Sequence, residues 1–178
     1  MSARYVTFLR GINVGGNRII KMPDLRACFE GLGFEDVSTV LQSGNVLFTS
    51  SSRSTNMLRR KIEAALAKAF DYPAKVQVYP ISALEQAIRE YPFDSNQSDF
   101  QHYVVFVDGP TADAISTEAL NLNKKAEDVR RGTQFIYWRV RKGMSNKSPF
   151  AKVLSKAKHR DHNTVRNLNT LKKMAKTD

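Results

Sequence analysis

The sequence predicts an α+β protein made of two tandem ferredoxin-like (βαββαβ) subdomains, with antiparallel sheets and a C-terminal helical segment. Three observations predict it. Residues 1–80 place β-branched or aromatic runs and amphipathic helical stretches in the order β-α-β-β-α-β. A strong strand run, HYVVFV at 102–107, opens a second passage of similar order. Hydrophobic residues make up 42% of 178, enough for a real core and too many for wholesale disorder.

The elements follow in order. Arg4 to Leu9 suits a buried strand, and the loop GINVGGNRI follows it. Met22 to Leu32 reads as a helix. Pro23 suits its first turn, Leu25, Cys28, Phe29 and Leu32 form one apolar stripe, and Gly33 offers a left-handed end. Val37 to Gln42 and Val46 to Thr49 are strand runs around a Ser43-Gly44-Asn45 hairpin turn. Ser54 or Thr55 caps a second helix whose inner face runs from Leu58 to Phe70, and Tyr72-Pro73 stops it. Val76 to Tyr79 is the fourth strand. A linking helix starts at Ser82 with Glu85 as a capping box and ends at Tyr91-Pro92, before a polar loop at 94–101.

The second passage is less regular. Thr111 to Leu120 is a helix, and Ala126 to Arg130 and Gln134 to Val140 are strands around Gly132. Ser148 or Pro149 begins a helix to about Ala157, and a last helix runs from about Asn167 to Lys176. No strong closing strand appears, and Asn163 to Val165 is the one candidate. The expected divisions are 1–80, a linking helix and loop at 81–101, and 102–178 with basic C-terminal helices.

Net charge is +11, concentrated at one end. Residues 139–178 hold twelve Lys or Arg against two Asp, a net of +10, leaving about +1 for the remainder. Such a block attracts phosphate-rich partners, and it also suits a solvated tail. No apolar run is long enough to span a membrane, and the N-terminus lacks the features of a secretory signal. Cys28 is the single cysteine, which excludes an internal disulfide and allows a reducing, cytoplasmic location.

The loop from Arg10 to Lys21 carries the most chemistry. Gly11, Gly15 and Gly16 permit left-handed turns and close approach of a ligand, Asn13 and Asn17 add amides, and Arg10, Arg18 and Lys21 add charge. A glycine-rich turn leading into a helix N-terminus forms an anion nest. Its spacing matches neither a Walker loop nor a dinucleotide fingerprint, and a tight strand-to-helix connection explains it equally.

LRGINVGGN-(x4)-M-(x2)-L at 9–25, LGF at 32–34, QSGNVLF at 42–48 and TVRN-x-NT at 164–170 together resemble a bacterial family. That family is known only as a domain of unknown function, serial number 1697. The resemblance covers nearly the whole chain and implies a pair of ferredoxin-like subdomains, with no activity to carry over. Leu168 stands where the family's closing motif usually has Trp, and Ser148-Pro149-Phe150 replaces a Ser-Lys-Leu-like triplet.

The motifs suggest a shared polar surface: Arg10, Asn13, Gly15, Gly16, Asn17 and Lys21 from the first loop, Ser43 and Asn45 from the hairpin turn, and Arg166, Asn167 and Asn169 from the start of the last helix. Amides, hydroxyls and Arg with few acids suit phosphate or carboxylate recognition. The same residues suit helix capping and tying of segments. In this element order the first loop and the hairpin turn are expected at opposite ends of the sheet, meeting only if the loop folds back.

A second signal, Arg131-Gly132-Thr133-Gln134-Phe135-Ile136-Tyr137-Trp138, partly echoes an RNA-recognition strand but has Thr133 at a stacking position. His159 and His162 flank Asp161 and read as a solvated basic segment rather than a metal site. No catalytic triad is readable, no cofactor or metal is expected, and no reaction is named. Three roles remain open: a module binding a phosphate-bearing ligand such as nucleic acid, an enzyme acting on a small anionic metabolite, and a structural or regulatory interaction protein. Oligomeric state is unassigned.

Overall fold

The computed structural model describes residues 2–13, 19–41, 44–71, 73–120 and 122–177. The chain divides into two compact units, Met1–Glu85 with Lys173–Asp178, and Gln86–Lys172. Both carry a four-stranded antiparallel sheet with helices, as expected for tandem ferredoxin-like halves.

The first unit runs β1 (Ala3–Leu9), α1 (Met22–Glu30), β2 (Glu35–Val40), β3 (Asn45–Ser50), α2 (Thr55–Phe70) and β4 (Val76–Pro80), with strand order β2-β3-β1-β4. Its core lies where α1 and α2 meet one sheet face. Leu25 and Phe29 of α1 and Leu58, Ile62 and Leu66 of α2 pack on Tyr5, Val46, Phe48, Val76 and Val78. Phe48 stacks on Phe34 at 4.4 Å and meets Phe29 edge-on at 5.7 Å. Ser54 caps α2 by accepting the Met57 N–H, and Asp71 ends it in a left-handed conformation.

The linking helix α3 (Ile81–Arg89) departs from expectation. Pro80 closes β4, an edge strand, where the missing N–H is tolerated. The helix begins on the next residue. Ser82 therefore sits inside the first turn, and the expected capping box is not at the helix start.

The second unit runs β5 (Phe100–Val107), α4 (Gly109–Glu118), β6 (Glu127–Arg131), β7 (Ile136–Arg141), α5 (Pro149–Ser155), α6 (Ala157–Arg160) and β8 (Asn163–Asn167), followed by α7 (Leu168–Met174). Its strand order is β6-β7-β5-β8. The closing strand exists: β8 pairs with β5, with Val165 opposite Val105. An edge strand backed on one face needs few apolar residues, so NTVRN gives little signal. Phe100 and Gln101 belong to β5 and not to the preceding loop, because Arg141 and Val140 pair with them.

The core of this unit joins Val105, Val107, Ile136, Trp138 and Val140 of the sheet to Ala112, Ile115, Phe150, Val153 and Leu154 of α4 and α5. Asp108 and Ser148 cap α4 and α5. Asn163, buried, donates to the carbonyls of Leu154 at 3.0 Å and His159 at 2.7 Å, tying α5 and α6 to β8. Among the described residues, no helix is long and apolar enough to cross a membrane.

Candidate functional site

The first loop and the hairpin turn lie at the same end of their sheet, contrary to expectation. The reason is strand direction. β1 and β3 are antiparallel, with Phe8 opposite Asn45, so the end of β1 sits beside the start of β3. The Leu9 N–H donates to the Gly44 carbonyl at 2.8 Å. Gly44 has φ +73°, and a Cβ there would fall 2.8 Å from Leu9 Cβ and 3.0 Å from Ile12 Cδ1. Only glycine fits this turn.

The amides of this region are used inside the protein. Asn13, at φ 54°, donates to the Ile20 carbonyl at 3.0 Å and accepts the Ile20 N–H at 2.9 Å. It closes the loop at its two ends. Asn45 is buried and donates to the Val40 carbonyl at 2.9 Å, holding β2 to β3 across the turn. Lys21 is exposed at the N-cap of α1, and Arg10 is half-buried at the end of β1. Gly15, Gly16, Asn17, Arg18 and Ser43 lie outside the described residues. Asn45→Ala is expected to cost about 1–2 kcal/mol, because the part-buried Val40 carbonyl loses its donor and the buried Asn45 site loses its side chain. A melting curve checks this; an unchanged midpoint contradicts it.

The closing motif also differs from expectation. Thr164 to Asn167 belong to β8, since β5 takes them as its second partner, and the last helix starts at Leu168. The Arg166 guanidinium donates to Thr164 Oγ1 at 2.8 Å and to the Val165 carbonyl at 2.9 Å, so it lies along its own strand. Asn167 Oδ1 accepts the Asn169 N–H at 2.9 Å, a local turn at the entry to α7, and Asn169 is exposed.

The basic block is folded structure. Lys142, Lys147 and Lys152 are exposed, and among the described residues none of them makes a salt bridge. Farther along, one carboxylate gathers three basic groups. Glu118 at the end of α4 pairs with Lys156, with Lys158 at 2.6 Å and with His159 Nε2 at 2.9 Å. Hydrogen bonds from Lys156, Lys158 and His159 pull its carboxyl down from 4.5 to about 2.

The folded value of Glu118 is below the ordinary one. Its contribution to stability is therefore complete above about pH 4.5 and is lost as pH falls toward 2. Glu118→Gln should thus melt below the wild type at neutral pH, and the gap should close across that window. A gap independent of pH contradicts the assignment.

His159 is buried, not solvated as the charged stretch suggested, and His162 faces a different carboxylate, Asp108, at 3.6 Å. Among the described residues, no group of three or more His, Cys, Asp or Glu side chains is placed to hold a metal ion. Cys28 is half-buried, and burial raises its thiol pKa.

The RNA-like strand does not form a stacking platform. Phe135, Tyr137 and Trp138 are all buried. Gly132 is there because a Cβ would lie 2.5 Å from the Tyr137 ring.

Two features of the second unit went unread in the sequence. Glu127 is buried and accepts from Trp138 Nε1 and from the Phe150 N–H, each at 3.2 Å. Arg139 packs over the rings of Phe93 and Phe100, 5.0 Å from each, and donates to Gln97 at 2.9 Å. Alternation along EDVRR points Glu127 inward, but polarity alone reads it as surface.

Comparison with known proteins gives the relationship. The chain superposes on the conserved bacterial protein SP0830 from Streptococcus pneumoniae with a TM-score of 0.82, at 27% identity over 99% of both chains. A protein described as unknown from Galdieria sulphuraria matches at 12% identity, over 94% of this chain and 98% of its own, with a TM-score of 0.29. No curated protein matches. A family model described as "Protein of unknown function (DUF1697)" matches residues 2–137, and the chain belongs to that family.

Proposed function

We propose that this protein is a binding module for a phosphate-bearing polyanion, with nucleic acid as the class that fits, and that the basic surface of the second unit makes the contact. The observation that carries this reading is the positive charge of the basic segment that no acidic side chain offsets among the described residues. Lys156, Lys158 and His159 converge on the one carboxylate of Glu118. Lys142, Lys147 and Lys152 remain exposed and without a salt bridge among the described residues. Lysines of this kind meet phosphates as point charges and release condensed counterions on binding. With Phe135, Tyr137 and Trp138 buried, base stacking at that strand contributes nothing, so the recognition is of backbone charge rather than sequence. A cytoplasmic location accords with the lone cysteine.

The test is a fluorescence-anisotropy titration of a labelled single-stranded oligonucleotide at rising salt. The logarithm of affinity should fall linearly with the logarithm of salt concentration, by about 0.7 per phosphate contact. No binding, or binding indifferent to salt, contradicts the reading.

One set of observations favours an interaction protein with internal ties instead. Asn13, Asn45 and Asn163 spend their amides on backbone groups of this chain. For the same reason the small-anion reading of the first loop, whether as a ligand site or as part of an enzyme, is secondary. There, Arg10 and Lys21 would supply the charge.

A further inference from the structure

β6 ends its sheet, and among the described residues no strand pairs with its edge away from β7. Gly132 N–H donates to Phe135 and Arg141 N–H donates to Ala126 across the β6–β7 pair. In an antiparallel ladder the bonding residues alternate, so Asp128 and Arg130 turn their backbone groups toward β7. The amides and carbonyls of Val129 and Arg131 then point outward. The outward N–H of Glu127 is already taken by the Asn123 carbonyl at 3.0 Å. β6 ends the strand order, and among the described strands it pairs with β7 alone.

This edge opens on a groove of about 190 Å³ between β6 and the last turn of α4, lined by Leu120, Leu122, Lys124, Val129, Arg130 and Arg131. Leu120 is 74% exposed. The acids nearby are engaged: Asp128 lies 3.6 Å from Arg130 and 3.9 Å from Arg139, and Asp113 faces Arg131 at 3.2 Å. Asp128 also lines the groove, but Lys124, Arg130 and Arg131 outnumber it, so the lining is net cationic.

We propose that β6 captures an extended segment of a partner protein in which acidic and apolar side chains alternate. Strand addition supplies the main-chain bonds. Because side chains alternate between faces, apolar residues of the segment lie over Val129 and Leu120 on the helix side. Its acidic residues lie on the opposite face beside Arg130. A second copy of this chain fits less well. The Glu127 carboxylate of its β6 is buried against Trp138 and Phe150, and its Asp128 is held by Arg130 and Arg139. This docking strand lies outside residues 139–178, so it stands or falls separately from polyanion binding.

The experiment titrates the full chain with a labelled peptide alternating glutamate and valine. It reads anisotropy together with amide hydrogen exchange. Binding should slow exchange at Val129 and Arg131. Arg130→Glu should weaken binding about tenfold, and methylating alternate backbone nitrogens of the peptide should abolish it. Val129→Pro removes an outward N–H at an edge position and should also abolish binding. If that variant fails to fold, Arg130→Glu and the methylated peptide still decide. Absence of binding, equal binding of a lysine–valine peptide, or indifference to methylation overturns the proposal. So does protection of Val129 in the free chain that grows with protein concentration, which would assign the edge to a second copy.

Discussion

Glu127→Ala should destabilise the second unit by about 2–6 kcal/mol, since each of two buried donors left without an acceptor costs about 1–3 kcal/mol. Both donors are structural. Trp138 Nε1 belongs to β7, and the Phe150 N–H belongs to the first turn of α5. The carboxylate therefore ties the sheet to α5 from inside the core. Trp138 depends on it for orientation, stacked on Tyr103 at 5.0 Å and meeting Phe150 edge-on at 5.4 Å. At about 2–4 °C per kcal/mol for a chain of this size, the melting temperature should fall by roughly 4–24 °C. Glu127→Gln should lie between the two, because its amide retains one acceptor and turns an N–H toward the other donor. A Glu127→Ala protein that melts with the wild type contradicts the tie.

The second large effect concerns binding and spares the fold. Reversing Lys142, Lys147 and Lys152 together to glutamate should lower oligonucleotide affinity about a hundredfold or more, and the salt slope should shrink by about 0.7 for each lysine that meets a phosphate. All three are exposed, and surface changes of this kind stay within about 0.5 kcal/mol each in stability. Anisotropy and a melting curve on the same sample separate the outcomes. Equal loss of affinity and stability points to a structural role, and unchanged affinity removes these lysines from the interface.

Much of the fold was legible because the relevant signals are local. The Arg4–Leu9 and His102–Val107 runs, the Leu58–Ile62–Leu66 stripe and the Ser54 cap each depend on residues close in sequence. What was missed depends on pairing. β8 shows few apolar residues because it is an edge strand, and Phe100 and Gln101 become strand only through their partners on β7. The meeting of Leu9 with Gly44 follows from the antiparallel sense of β1 and β3, which the element order alone left misread.

The site was legible as chemistry but not as role. An asparagine amide that can bind an anion can equally close a loop, and Asn13 and Asn45 do the latter. The charge excess, by contrast, could be counted, because composition survives folding. Its pairing with Glu118 could not, since α4 and α6 are far apart along the chain.

The most direct measurement is a residue-resolved map of amide chemical-shift changes on adding a single-stranded oligonucleotide at low salt. Polyanion binding by the second unit predicts shifts concentrated at residues 141–160, disappearing as salt is raised. Shifts confined to residues 10–21 and 44–45, or none anywhere, contradict it.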